Sequence, residues 1–361
     1  MGNKNKTMRM KKEKAMDDYK SYYKGKTILI TGGAGAIGCN LTRALSALGA
    51  QRIIVLDDLS SAELWNIPNE KNVQFIQGSV VDQNELKRVF NLKPTVVFHL
   101  AALFANQNSL DYPEKDLEVN GLGILRTLQF ASMSGKVERF VYASSGCSIY
   151  GSHGKLPLTE DQVSLFHTTP YQITKMLGEL YCNFFYHHYG LPVVKARFFN
   201  SYGPGEIPGQ YRNVIPKFIY WALLGKPLVI TGNPQATRDF AWVLDLVDAL
   251  LRSGYCKEAI GEAYNLSGGR EIEIGYLANK IVKYSKSKSK IIIGSKRKWD
   301  TKDRLLASTG KAYRLIGFKS SMDFDEGLKI TIAWMKNNWE NIQLSAKFSP
   351  GISSANVDVT K

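Results

Sequence analysis

Tyr171 and Lys175, four residues apart in TTPYQITKMLGELY, have the types and spacing for acid–base chemistry on a hydroxyl group. Positions i and i+4 share a face of a helix, so the ammonium can lie beside the phenol. A free tyrosine has a pKa of about 10 and is a poor base near neutrality. One ammonium at ~4 Å, in an effective dielectric of ~20, favours phenolate by roughly 4 kcal/mol, about three pKa units. A phenolate so placed takes a hydroxyl proton while hydride leaves the same carbon. The spacing alone selects little, because Tyr22/Lys26, Tyr276/Lys280 and Tyr284/Lys288 repeat it and read as surface pairs. Tyr171 differs in context: it opens a helix after the run Arg139–Ala143 and the polar stretch Ser144-Ser145-Gly146-Cys147-Ser148.

A second constellation lies near the N-terminus. Thr31-Gly32-Gly33-Ala34-Gly35-Ala36-Ile37-Gly38 follows a β-rich run and opens a helical one, satisfying GxGxxG from Gly33 and TGxxGxxG from Thr31. Glycines there permit a tight turn, close approach of backbone to a pyrophosphate, and close packing of helix on strand. Free N–H groups and the helix dipole then face the phosphates. Asp57 follows at the spacing of about 20 residues that a dinucleotide site requires. Its carboxylate, or that of Asp58, accepts from the ribose hydroxyls and repels a 2′-phosphate, which predicts NAD rather than NADP.

The elements that position these residues alternate. Strands are expected at Thr27–Ile30, Arg52–Leu56, Val73–Ile76, Thr95–Leu100, Arg139–Ala143 and Val193–Phe198, with helical segments at Ala36–Leu48, Gln83–Asn91 and Leu117–Met133. Near-continuous apolar strands between helices predict a doubly wound parallel α/β sheet, a Rossmann fold. After about Asn200, Gly, Pro and Asn punctuate shorter elements, which suits a smaller, discontinuous domain over the strand ends. The expected division is a basic disordered tail over 1–24 and a Rossmann domain over 25–200, to which 238–254 returns. A second domain over 201–237 and 255–341, with a helix near Glu326–Asn338, and a disordered tail over 342–361 complete it.

Composition bounds the function. The 361 residues, 44% hydrophobic and 22% charged, fit a packed globular chain. No apolar run reaches the ~20 residues of a bilayer span, and no secretory signal is visible, so a cytoplasmic protein away from membranes is expected. Cys39, Cys147, Cys182 and Cys256 are scattered and the five histidines show no HExxH spacing, so no metal is expected. The net charge of +15 concentrates in residues 1–24 and 280–298. Without interleaved aromatics, these segments read as solvated surface rather than a nucleic-acid stripe.

Taken together, the motifs resemble the extended branch of the short-chain dehydrogenase/reductase superfamily, the nucleotide-sugar epimerases and dehydratases typified by UDP-glucose 4-epimerase. Matching segments run over about residues 26–338: TGGAGAIG, His99–Ala102, SSGCSIYG, PYQITK, Arg197–Gly205 and Arg238–Leu250. The resemblance implies retained NAD contacted by Gly32, Gly35, Ala36, Ile37, Gly38, Asp57, Asp58, Ser79, Val80, Leu100, Ala101, Ala102, Tyr171, Lys175 and Phe198. It implies a nucleotide-sugar substrate, with Asn200 and Asn213 on the diphosphate and Arg238 gripping it with help from Arg297. Phe104, Val214, Thr231 and Asp300 complete the implied substrate pocket. Ser145 or a neighbour would hydrogen-bond the hydroxyl being oxidised. The resemblance also implies a homodimer through a four-helix bundle near Leu117–Met133 and Tyr171–His188, where Tyr181, Phe184 and Phe185 are candidate contacts.

Departures narrow the reaction. Relatives place Ser or Thr four residues before the Tyr of the YG pair; here that position is Gly146, flanked by Ser145 and Ser148. The GDxxD common at the adenine reads Gly78-Ser79-Val80-Val81-Asp82, leaving Asp82 as a substitute or not. UDP-galactose 4-epimerases carry lysine where this chain has Phe104. Dehydratases of the branch carry Asp-Glu after the active-site Thr and decarboxylases a glutamate; this chain has Gly146-Cys147-Ser148. An epimerase with Tyr171 as base is therefore expected, a 4,6-dehydratase or UDP-glucuronate decarboxylase being the alternative. Cys147 is a further acid/base candidate, because GDP-mannose 3,5-epimerases use a cysteine in a similar segment. From another class, a non-catalytic nucleotide sensor would use the same glycine loop but have no need of an activated phenol.

Overall fold

The computed structural model describes residues 19–151 and 154–348. Twelve strands among these are β1 Thr27–Thr31, β2 Arg52–Asp57, β3 Val73–Gln77, β4 Val96–His99, β5 Arg139–Ser145, β6 Val193–Phe198, β7 Asn200–Tyr202, β8 Leu228–Thr231, β9 Thr237–Trp242, β10 Ala263–Leu266, β11 Glu271–Glu273 and β12 Ile291–Gly294. The helices that matter here are α1 Tyr19–Tyr22, α2 Ala36–Ala47, α3 Gln83–Phe90, α4 Gly123–Ser134, α5 Gly146–Ile149, α6 Pro170–Tyr189, α7 Val214–Leu223, α8 Val243–Tyr255, α9 Ile274–Ser285, α10 Gly310–Ile316, α11 Phe324–Asn337 and α12 Trp339–Ser345. A π-helical stretch, Leu117–Leu122, leads into α4.

Seven strands form one sheet in the order β10-β6-β5-β4-β1-β2-β3, every pair parallel. This is the doubly wound arrangement predicted, with the order reversing between β1 and β4. Its strands are apolar along their length because both faces are covered. One face packs Ile28, Ile30, Val55 and Phe98 against Leu41, Leu45, Leu246 and Leu250 of α2 and α8. The other packs Leu29, Ile54, Val97 and Phe140 against Leu86, Leu128, Cys182 and Phe185 of α3, α4 and α6.

A second core joins Tyr202, Phe218, Ile219, Phe240, Trp242, Leu277, Phe324 and Leu328. It rests on the small sheet β11-β9-β7 and the pair β12-β8.

The boundaries differ from expectation in four places. Residues 19–24 are not tail, because Tyr19 and Tyr23 are buried and the Tyr23 hydroxyl donates to Leu251 O at 2.6 Å; residues 1–18 lie outside the described residues. Residues 342–348 are not tail either: Ile342 of α12 is fully buried and Lys347 O accepts from Gln210 N at 2.8 Å, while 349–361 lie outside the description. The return to the main sheet begins at Val243 rather than 238, since β9 pairs with β7 and β11. Within 255–341, β10 joins the edge of the main sheet beside β6, and Ala312 and Ile316 of α10 enter its core. Four residues interrupted by Asn265 carry too short a pattern to read as a strand. Asn265 is fully buried because it accepts from the Tyr150 hydroxyl and donates to Leu158 O.

Candidate active site

At the switch point between β1 and β4 the carboxyl ends of the strands open into a cavity of about 1010 Å³ between the two cores. Open α/β sheets bind ligands at this point. Every cofactor, catalytic and substrate residue expected from the sequence lines this cavity.

The glycine loop is built for close approach. Gly32 has φ of +69°, and a Cβ there would lie 2.6 Å from Ala101 N. A Cβ on Gly38 would lie 2.5 Å from Gly32 O, so α2 starts hard against the turn. Asp57 is buried at the end of β2, its carboxylate accepting from Ala34 N at 3.0 Å and Leu59 N at 2.9 Å. Burial raises its pKa while those N–H groups lower it. Asp58 is exposed and accepts from Ser60 N. Asp82 does not reach the cavity: it caps α3, accepting from Asn84 N at 2.7 Å. The loop that Cβ atoms would fill, with a carboxylate at the end of β2, fits a dinucleotide.

At the other end, Thr169 caps α6 and Pro170 takes its first turn, so the helix begins just before the phenol. Tyr171 is buried, with the edge of Phe104 against its ring at 6.0 Å between centroids. Lys175 Nζ donates to Ala143 O at 2.9 Å and stands 5.6 Å from the Tyr171 ring centroid. The expected depression of the phenol by Lys175 is not produced by the protein's own groups. Burial, then Asp116, then Cys147 raise the Tyr171 pKa well above the tyrosine range, and only the hydrogen bond with Ser145 opposes them. The Lys175 ammonium is directed at a carbonyl, and burial brings its own pKa down to about 8.

Ser148 donates to Ser145 at 2.9 Å, so the two flanking hydroxyls form one chain ending at the phenol. Gly146 occurs between them because Phe199 fills its side-chain space: a Cβ would lie 2.0 Å from Phe199 Cε2. Gly146→Ser, which restores the residue common in relatives, is therefore expected to cost about 1–3 kcal/mol through overpacking. Thermal melts check this, and Gly146→Ser combined with Phe199→Val should recover most of the loss. Cys147 lines the cavity, its thiol pushed up to about 11 by burial.

On the substrate side, Arg238 pairs with Asp300 at 2.7 Å rather than with Asp239, whose carboxylate accepts from Ala307 N and Gly269 N. Asn200 donates to Asp239 O and Asn213 to Glu206, while the buried Arg297 Nε has no partner among the described residues. The other Tyr-Lys pairs are surface clusters: Lys280, Tyr276 and Tyr284 converge on Asp325, and Lys26 lies over Tyr22.

Three groups at the site escaped the sequence reading, and two of them, Glu206 and Lys302, line the cavity. Asp116, buried behind Lys175, accepts from Thr174 at 2.6 Å and Asn120 at 2.7 Å. Lys302 reaches α5 from the second region. Glu206 is buried beside Asn213 with Oε2 unpartnered, and burial pushes its pKa up to about 7, against Arg212 and Asn213, which lower it. Its folded pKa exceeds the unfolded value of about 4.3, so this contribution to stability is full below that pH and fades as pH rises to 7. Glu206→Gln is expected to remove up to ~3 kcal/mol of pH dependence in this window, read as urea midpoints between pH 4.5 and 7.5. Unaltered curvature would refute the assignment.

A site joining a glycine loop, a buried Tyr-Lys pair and a cationic second region fits a dinucleotide-dependent class of enzyme. The chain belongs to the NAD dependent epimerase/dehydratase family, which it matches over residues 28–267. It is similar to a solved epimerase of Methanothermobacter thermautotrophicus, 50% identical over 92% of this chain and 98% of that one, with a TM-score of 0.91. It is 31% identical to a UDP-glucose 4-epimerase of Mycolicibacterium smegmatis, over 86% of this chain and 98% of that one. A UDP-N-acetyl-alpha-D-glucosaminuronate decarboxylase of Bacillus cytotoxicus is 32% identical, over 86% and 98%. NAD is thus the cofactor. Among the described residues, no helix is long and apolar enough to cross a membrane, and no cluster of three His, Cys, Asp or Glu could hold a metal.

Proposed function

We propose that this chain is a cytoplasmic NAD-dependent nucleotide-sugar 4-epimerase. The observation that carries the reading is the content of α5: beside Tyr171 stand Gly146, Cys147 and Ser148, with no carboxyl group to protonate or deprotonate at C5 or C6. The described carboxylates lining the cavity are engaged elsewhere. Asp57 and Asp58 sit at the end of β2, Glu206 holds Asn213, Asp300 holds Arg238, and Asp303 holds Lys296.

Bound NAD supplies a reversible hydride acceptor and a positive charge at its nicotinamide, the charge needed to offset the burial that keeps Tyr171 protonated. Tyr171 then takes the C4 hydroxyl proton and later returns it, with Ser145 orienting that hydroxyl and Ser148 holding Ser145. Lys175 hydrogen-bonds the nicotinamide ribose, and Asp57 the adenosine ribose. Arg238, positioned by Asp300, holds the diphosphate with Arg297, Asn200 and Asn213. Cys147, with its thiol protonated, lines the wall. A cavity of about 1010 Å³ supports turning a keto-sugar within the site so that the opposite face is reduced.

Incubation of the purified protein, without added cofactor, with UDP-, GDP-, CDP- and dTDP-sugars tests this by mass spectrometry and proton NMR. An isobaric product with altered ring couplings is expected. A product lighter by water or carbon dioxide would replace the epimerase with a dehydratase or decarboxylase.

The same reading includes a homodimer. Leu117, Met133, Ile173, Leu180 and Phe184 are exposed near the π-helical stretch, α4 and α6, whereas Phe185 is buried and Tyr181 packs against the sheet core. Analytical ultracentrifugation at micromolar concentration should give twice the chain mass; monomer alone would reject it.

A further inference from the structure

Lys302 brings an ammonium to the catalytic end of the cavity, where its hydrogen bond among the described residues goes to a neutral group. Nζ donates to Cys147 O at 2.6 Å. Cys147 adjoins Ser148 in α5 and lies near enough to Tyr171 to raise its pKa, so the ammonium stands at the sugar end of the pocket. The acids of its own segment are taken, Asp300 by Arg238 at 2.7 Å and Asp303 by Lys296 at 2.8 Å. Of the other groups facing it, Arg238 repels it, and burial and Lys302 itself lower the His167 pKa, against a backbone hydrogen bond with Ser164 that raises it. Burial and Arg238 lower the Lys302 pKa, against Cys147 and Asp300, which raise it. A desolvated ammonium is costly when its hydrogen bond among the described residues goes to a carbonyl and the nearby Asp300 is already committed to Arg238, and an anion entering beside it lowers that cost. In the reading above, the diphosphate already has Arg238 and Arg297.

We propose that the substrate is a nucleotide hexuronate, a sugar nucleotide bearing a ring carboxylate, and that Lys302 selects it by pairing with that carboxylate. This rests on the nucleotide-sugar reading of the site. Calorimetric titration of the NAD-bound Tyr171→Phe protein with UDP-glucuronate, UDP-glucose and UDP separates binding from turnover. UDP-glucuronate is expected to bind about tenfold more tightly than UDP-glucose, the order of gain for a partly desolvated charge pair. Adding Lys302→Met should abolish that preference while leaving UDP and UDP-glucose affinities within threefold; adding Lys302→Arg should retain most of it. Equal binding of the two sugars, or a preference surviving Lys302→Met, overturns the proposal. An equal loss for UDP would place Lys302 on the diphosphate and overturn it as well. If none of the three binds, the nucleotide-sugar reading itself fails; if UDP binds without a carboxylate preference, only the present inference does. Should Lys302→Met not fold, the comparison of the two sugars on the parent and Lys302→Arg proteins still decides.

Discussion

Tyr171→Phe is expected to lower kcat by about 10³-fold while leaving NAD bound and the fold intact, the scale of losing a positioned general base. The substitution removes one hydroxyl from a buried ring. The edge contact with Phe104 is retained, and Ser145 keeps its hydrogen bond from Ser148. Nothing in the glycine loop or at Asp57 is touched, so cofactor recovered from the denatured protein should match the parent. The pair of readouts separates catalysis from binding. Parent-level turnover in the variant would exclude Tyr171 as the base, and unchanged biological activity with NAD bound would support a nucleotide sensor instead.

The second large effect concerns stability. Glu179→Ala is expected to cost about 3–5 kcal/mol, because removing one member of a buried ion pair strands the other charge. The Arg197 guanidinium binds Glu179 through two parallel contacts of 2.9 and 2.8 Å, with both side chains about 95% buried. Ser144 also donates to the same carboxylate at 2.5 Å. These bonds pin the middle of α6 to β5 and β6, two turns beyond Tyr171 and one beyond Lys175. A melting midpoint lower by ~10 °C follows for a chain of this size. Glu179→Gln keeps an acceptor and should lose less. A drop under 3 °C in scanning calorimetry would show that the pair is not buried as described.

That pair also marks how far a sequence can be read. The parallel sheet was legible because a strand covered on both faces must be apolar along its length, and the predicted run Val193–Phe198 matches β6 end to end. The glycine loop was legible because its spacing is itself the geometry of the turn. What escaped depends on partners distant along the chain. Arg197 and Glu179 are 18 residues apart and Lys302 and Cys147 are 155, and no periodicity links them. Gly146 looked like a missing hydroxyl until Phe199 was seen to occupy its space. Tyr171 looked activated by its neighbour because spacing reports that two groups are close, whereas the phenol's pKa follows from how much water the fold removes. The tails were misjudged at their inner ends for a related reason: Tyr19 and Tyr23 at one end, and Ile342 and Phe348 at the other, anchor short segments to distant cores, too few residues to form a pattern.

The path of the chain between its two cores bears on how enzymes of this kind diversify. After β9 the polypeptide returns through α8, stays to add β10, leaves with β11, and comes back once more as α10 before ending in α11 and α12. Because the substrate-facing half is laced into the cofactor-binding half, it cannot be inherited or exchanged as a cassette. A recombination breakpoint within it would separate β10 from β6 or α10 from the sheet it covers. New substrates must then be acquired by point changes and loop grafts on a retained frame, at positions such as Phe104 and Thr231 that line the cavity. Lineages that differ in the sugar they handle should therefore share a common set of crossings and diverge in the cavity wall.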